Sequence, residues 1–130
     1  MKFLVGYNGS KAAQSALALV KDFAKVFNAK VYVLVSMEGG SSEKIEDVAK
    51  ARADLEYAEN FLRRKNIDCE AREMVRGLSP AEDLVKFARD NDIDQLFVGI
   101  EKKTRTRKIL LGSTAQYVIL KAPCPVISVK

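Results

Sequence analysis

The chain has 130 residues, 48% of them apolar, enough for one domain with a buried core, so a disordered chain is excluded. It has no histidine and only two cysteines, Cys69 and Cys124, which excludes histidine-based triads and general bases and leaves too few soft ligands for zinc. Basic residues exceed acidic ones by five, a mild surplus whose position matters more than its size.

The chain opens with an apolar run, Lys2 to Tyr7, that stops at Asn8-Gly9 and reads as a first strand. No small-residue cleavage site follows it, and no apolar run approaches the ~20 residues of a membrane helix, so a cytoplasmic location is expected. Ser10 to Phe27 places Ala13, Ala16, Leu17, Val20, Phe23, Ala24 and Phe27 at helical spacing, and Asn28 suits a left-handed stop. Lys30 to Met37 is β-branched and almost continuous, as a strand covered on both faces should be. A loop at Glu38–Ser42 leads to a predicted helix from about Glu43 to Lys65, with Ile45, Val48, Ala51, Leu55, Ala58 and Leu62 on its inner face.

Ile67 to Val75 reads as a third strand, more polar and therefore near an edge. Ser79-Pro80-Ala81-Glu82 has the cap, the first-turn proline and the returning carboxylate of a helix start. That helix runs to about Asn91, and Asp94 to Ile100 gives a fourth strand. A loop is expected from Glu101 to about Leu111. Gly112-Ser113-Thr114 opens a last helix with Ala115, Val118, Ile119 and Ala122 inward, and Pro123 stops it before a fifth strand, Cys124 to Val129. The two cysteines read as small buried strand residues.

Five strands alternating with four helices predict a single α/β domain over 1–130, a three-layer sandwich with a five-stranded, mostly parallel sheet. With strand order 3-2-1-4-5, the sheet reverses between strands one and four, the place where open α/β sheets bind ligands beyond their carboxyl ends. Those strands end at Tyr7-Asn8-Gly9 and at Gly99-Ile100. Gly112-Ser113-Thr114 supplies a helix start suited to an anion, or alternatively Ser113 or Thr114 only caps the helix. The run Lys102 to Lys108 holds five cations in seven residues. It suits a phosphate clamp, a nucleic-acid contact or a solvated loop, and the absence of an aromatic within it weakens the nucleic-acid reading. The P-loop pattern, the Gly-x-Gly-x-x-Gly fingerprint and the acidic pair of a receiver domain are all missing.

Several segments together resemble the universal stress protein family. Gly99, two residues, Lys102, nine residues, then Gly112-Ser113 is similar to the family's Gly-x2-Gly-x9-Gly-Ser pattern after strand four. Leu4 to Ser10 resembles its first-strand segment, Val75 to Ala81 its third-strand turn, and Ala122-Pro123-Cys124-Pro125-Val126 its closing segment. The resemblance implies an adenine nucleotide, ATP or AMP. Gly99, Gly112, Ser113 and Thr114 would face its phosphates, and on the phosphate-clamp reading of the basic run Lys102 and Arg105 stand beside them. Tyr7, Asn8 and Val35 would lie near the base, and the turn from Met74 to Gly77 would close that side. Lys102 replaces the second glycine, whose freedom at positive φ it lacks, and offers an ammonium instead. Asn8 replaces an aspartate, so magnesium is expected only together with a nucleotide, not held by the protein alone.

The function expected is a stress-response regulatory module that binds ATP or AMP. The alternative is a dimeric interaction protein of the same fold without a nucleotide, and a slow ATPase comes third because no general base is evident. No membrane partner is expected. A homodimer is expected under both leading readings, because the last strand would be a sheet edge carrying Val126, Ile127 and Val129.

Overall fold

The computed structural model describes residues 1–37, 45–75, 78–105 and 108–130, with Met37, Val75, 102–105 and 108–110 as backbone only. The predicted loop at Glu38–Ser42, the start of the predicted second helix and Gly77 lie outside the described residues. The described elements are β1 (Lys2–Gly6), α1 (Lys11–Phe27), β2 (Lys30–Met37), α2 (Ile45–Arg64), β3 (Cys69–Val75), α3 (Pro80–Asp90), β4 (Gln95–Gly99), β5 (Lys102–Arg105), β6 (Lys108–Leu111), α4 (Ser113–Lys121) and β7 (Val126–Val129).

Local chemistry explains the helix limits. Ser10 accepts a hydrogen bond from the Ala13 N–H at 3.1 Å and starts α1, and Asn28, at φ 51°, ends it. Asn66 makes the same left-handed turn after α2, at φ 59°. Ser79 and Glu82 exchange both bonds of a capping box at α3, with Pro80 in its first turn. Three inner-face assignments are corrected. Phe27 is 52% exposed, Ile45 89% and Ile119 42%, so the buried residues of α2 are Ala51, Ala58 and Leu62, and those of α4 are Ala115 and Val118.

The main sheet has the order β3-β2-β1-β4-β7, which is 3-2-1-4-5 among its five strands, and every pairing in it is parallel. Parallel neighbours require crossovers, and each crossover here is a helix that begins at the carboxyl ends of the strands. One face buries Phe3, Val5, Leu17, Val20 and Phe97 beneath α1 and α2. The other buries Leu4, Leu34, Leu84, Phe87 and Leu96 beneath α3 and α4. Each such side chain contributes about 1.5–3 kcal/mol.

The segment expected to be a loop after β4 is instead an antiparallel ribbon, with Lys102 opposite Leu111 and Arg105 opposite Lys108. Its two strands pair in a sheet separate from the main one. Cys124 precedes β7 rather than lying in it, and both cysteines are half-buried, not fully buried. Burial pushes both thiols up, away from the reactive thiolate form.

Gly99 fixes the spacing of α1 on the sheet. A Cβ at this position would stand 2.5 Å from the Ala12 carbonyl carbon, so only glycine lets the first turn of α1 pack against β4. Gly99→Ala is therefore expected to cost about 1–3 kcal/mol in urea unfolding. Gly112→Ala, where an added Cβ meets nothing within 4 Å, should cost under about 1 kcal/mol in the same assay.

Candidate functional site

A cavity of about 250 Å³ opens at the carboxyl end of the sheet, where β1 and β4 diverge. Six of the ten residues expected from the sequence line it: Tyr7, Asn8, Gly99, Gly112, Ser113 and Thr114. Val35 and Met74 are buried beside it without lining it, Val35 with the core under α1 and α2, and Met74 with the core under α3. Lys102 and Arg105 stand at the two ends of β5, and their side chains lie outside the described residues. In an extended strand the backbone at 102 does not need glycine's freedom.

Gly112 occupies the N-cap of α4 at φ −62° and ψ 154°, a conformation open to any residue. Neither backbone strain nor protein packing requires glycine there, since a Cβ would meet nothing within 4 Å, and the residue lines the cavity. Among the described residues no side chain caps this helix, whose N-cap is Gly112 rather than Ser113 or Thr114. The amides of the first turn of α4 have no partner within the helix, and no acidic residue sits in that turn. The first turn of α1, whose Ser10 and Ala13 also line the cavity, has no acid either. Two positive helix ends thus face one hollow.

The loop after β1 is held from three sides. The Asn8 side-chain oxygen accepts from the Ser10 N–H at 3.1 Å, a local turn that asparagine makes as well as aspartate would. Lys50 donates to the Asn8 carbonyl at 2.9 Å and to Asp54 at 2.7 Å. Gly9 is at φ 79°, and a Cβ there would meet the Asp54 carboxylate at 2.7 Å. Tyr7 donates its N–H to the Leu34 carbonyl at 3.0 Å and stacks on Tyr57 with ring centroids 6.0 Å apart. Burial chiefly, then Tyr57 and Asp54, pushes its hydroxyl up to about 12, so it stays protonated at neutral pH.

Sequence reading missed part of the opposite wall. Ser36, Pro80 and Leu84 line it, and the Ser36 hydroxyl donates to Oδ2 of Asp83. Asp83 is 1% exposed, and its Oδ1 has no partner among the described residues. The available signal was its place four residues before Phe87 on the inner face of α3. Glu101, exposed at the mouth, was missed as well. Among the described residues no cluster of three or more metal-binding side chains occurs.

Tyr7 gives a pH test. Its folded form keeps the proton up to about 12, whereas an unfolded tyrosine loses it near 10.0. Stability linked to Tyr7 is therefore complete below pH ~10 and is lost as pH rises through about 12. Denaturant midpoints measured across that window should fall more steeply for the native chain than for Tyr7→Phe, and parallel curves would contradict the assignment.

Comparisons with known proteins agree with this architecture. The family model described as "Universal stress protein family" matches residues 1–130. Universal stress protein MJ0531 of Methanocaldococcus jannaschii is 30% identical, over 99% of this chain and 81% of its own length. A solved universal stress protein from Archaeoglobus fulgidus is 35% identical with a TM-score of 0.92, covering 100% of this chain and 98% of that one. A universal stress protein from the same organism, solved in complex with dAMP, is 33% identical with a TM-score of 0.84 at the same coverage. A fold, a strand order and a family match that each span the whole chain converge on one assignment: the chain belongs to the universal stress protein family.

Proposed function

We propose that this chain is a regulatory module that binds an adenine nucleotide, ATP or AMP, in the cavity where the sheet reverses. Gly112 carries the reading. It is a glycine that neither its backbone angles nor its neighbours demand, at a helix end bare of acids, facing open space. An anion there meets the free amides of Ser113, Thr114 and Ala115 and the dipole of α4. The similar Archaeoglobus fulgidus protein in complex with dAMP supports the ligand class. Lys102 and Arg105, on the ribbon that leaves β4, would add charge beside the phosphates.

The role is regulatory rather than catalytic in this reading. Glu101, which is exposed, is the carboxylate among the described residues that line the cavity, and Asp83 behind Ser36 already accepts from its hydroxyl, which supports a role without a general base. Magnesium would arrive with the nucleotide. A cytoplasmic site of action goes with this reading, and among the described residues no helix is long and apolar enough to cross a membrane.

A homodimer through β7 is the second part of the proposal, and it also serves a nucleotide-free interaction protein. The two sheet edges differ. The β3 edge carries Glu70 and Arg72 as an ion pair at 3.2 Å, with Lys30 at 3.6 Å from Glu70, charges that discourage strand addition. The β7 edge presents Val126, Ile127 and Val129, all only half-buried, and Ser128. A twofold partner pairing the same strand would close it.

Two measurements test these readings. Calorimetric titration of the nucleotide-stripped protein with ATP, ADP and AMP, with and without magnesium, should give saturable binding that falls at least about tenfold in Gly112→Val. Binding unaffected by that substitution would remove the α4 site, and no binding at all would favour the interaction protein. Ile127→Glu should shift the mass by light scattering from dimer to monomer, and an unchanged mass would end the β7 proposal.

A further inference from the structure

Two neighbouring faces of α2 do different work. Ala51, Ala58 and Leu62 are buried in the core. Lys50, Asp54 and Tyr57 follow one another at i, i+4 and i+7 on the adjoining face, and they meet three consecutive residues at the end of β1. Tyr57 stacks on Tyr7. Lys50 donates to the Asn8 carbonyl at 2.9 Å. The Asp54 carboxylate lies so close to Gly9 that an added Cβ would stand 2.7 Å from it. Its Oδ2 also accepts from Lys50 at 2.7 Å, so the two side chains form one bracket across the loop.

The bracket ends where the cavity begins. Asn8 lines the cavity, and its side-chain oxygen accepts from the N–H of Ser10, the N-cap of α1, which lines it too. Lys50 is thus linked to the amino end of α1 through two hydrogen bonds in series. Neither Lys50 nor Asp54 lines the cavity itself. The Lys50 side chain is 64% exposed, and an exposed ion pair adds little to stability on its own. What the pair holds is the loop. We propose that Lys50 and Asp54 are positioning residues, which keep Asn8 and the amino end of α1 in place to receive the nucleotide without rearrangement. A loop fixed before binding leaves less to be ordered by the ligand. The linkage is reciprocal, so a bound nucleotide steadies this part of α2 in turn.

The inference rests on the nucleotide reading above, and its test separates the two. AMP affinity by calorimetry and amide hydrogen exchange are measured in the native chain, Lys50→Met, Lys50→Arg and Asp54→Asn. Lys50→Met keeps the stem and loses the donor. It should lower AMP affinity about three- to tenfold and speed exchange at Ser10 and Ala13, with the strand amides of Val33 and Phe97 at native rates. Asp54→Asn should act in the same direction, and Lys50→Arg, which can still donate, should recover most of the loss. In the native chain AMP should slow exchange in α2 around Tyr57. Native AMP affinity in both Lys50→Met and Asp54→Asn overturns the positioning role and leaves the nucleotide reading standing. Weaker binding with native exchange at Ser10 and Ala13 overturns it too, because the lysine would then act on the ligand and not on the loop. Faster exchange throughout, Val33 and Phe97 included, reports a general loss of stability and also overturns it. Failure of the native chain to bind AMP overturns both.

Discussion

The space between Gly99 and the first turn of α1 is the constraint on which the cavity depends. No Cβ fits there, so β4 and α1 approach until backbone meets backbone. That approach sets how far the amino end of α1 stands from the strand that leads, through the β5–β6 ribbon, to α4. Gly99 is thus a packing glycine, whereas an added Cβ at Gly112 would meet only open space. The two look alike in the sequence and differ in what their missing side chains face.

The parallel sheet supplies the rest. Each helix starts at the same end of the sheet, so the amino ends of all four helices gather there, and the choice of first-turn residues decides which of them invite an anion. In α1 and α4 that turn carries no acid, and in α3 it is acidic and tied into a capping box. Below the cavity, Tyr7 and its stack with Tyr57 hold the floor, and the Asn8 turn with Lys50 holds the rim. The same residues that close the fold at this end therefore shape the cavity.

Much of this was legible in the sequence because it is written in local rules. Alternation of strand and helix periods, the Ser79–Glu82 box, Asn28 and Asn66 as left-handed stops, and the edge position of the last strand all follow from short-range chemistry. So did the meeting of Tyr7, Asn8, Gly99 and Gly112, because strand order brings together what the chain separates. The rest was hidden for physical reasons. The Lys102–Leu111 ribbon carries its charge on a backbone pattern that composition alone disguises as a loop. Ile45 and Ile119 fit a helical stripe but remain exposed, Ile45 almost wholly and Ile119 in part. Asp83 looks like one more solvated acid until β2 brings Ser36 against it.

The central claim is that phosphate sits on the amino end of α4. Amide chemical shifts of isotopically labelled protein, followed during titration with AMP and, separately, with adenosine, test it most directly. The account predicts that AMP moves the amides of Gly112, Ser113, Thr114 and Ala115 and that adenosine, lacking the phosphate, leaves them nearly in place. AMP shifts confined to the β5–β6 ribbon, with α4 silent, would contradict it.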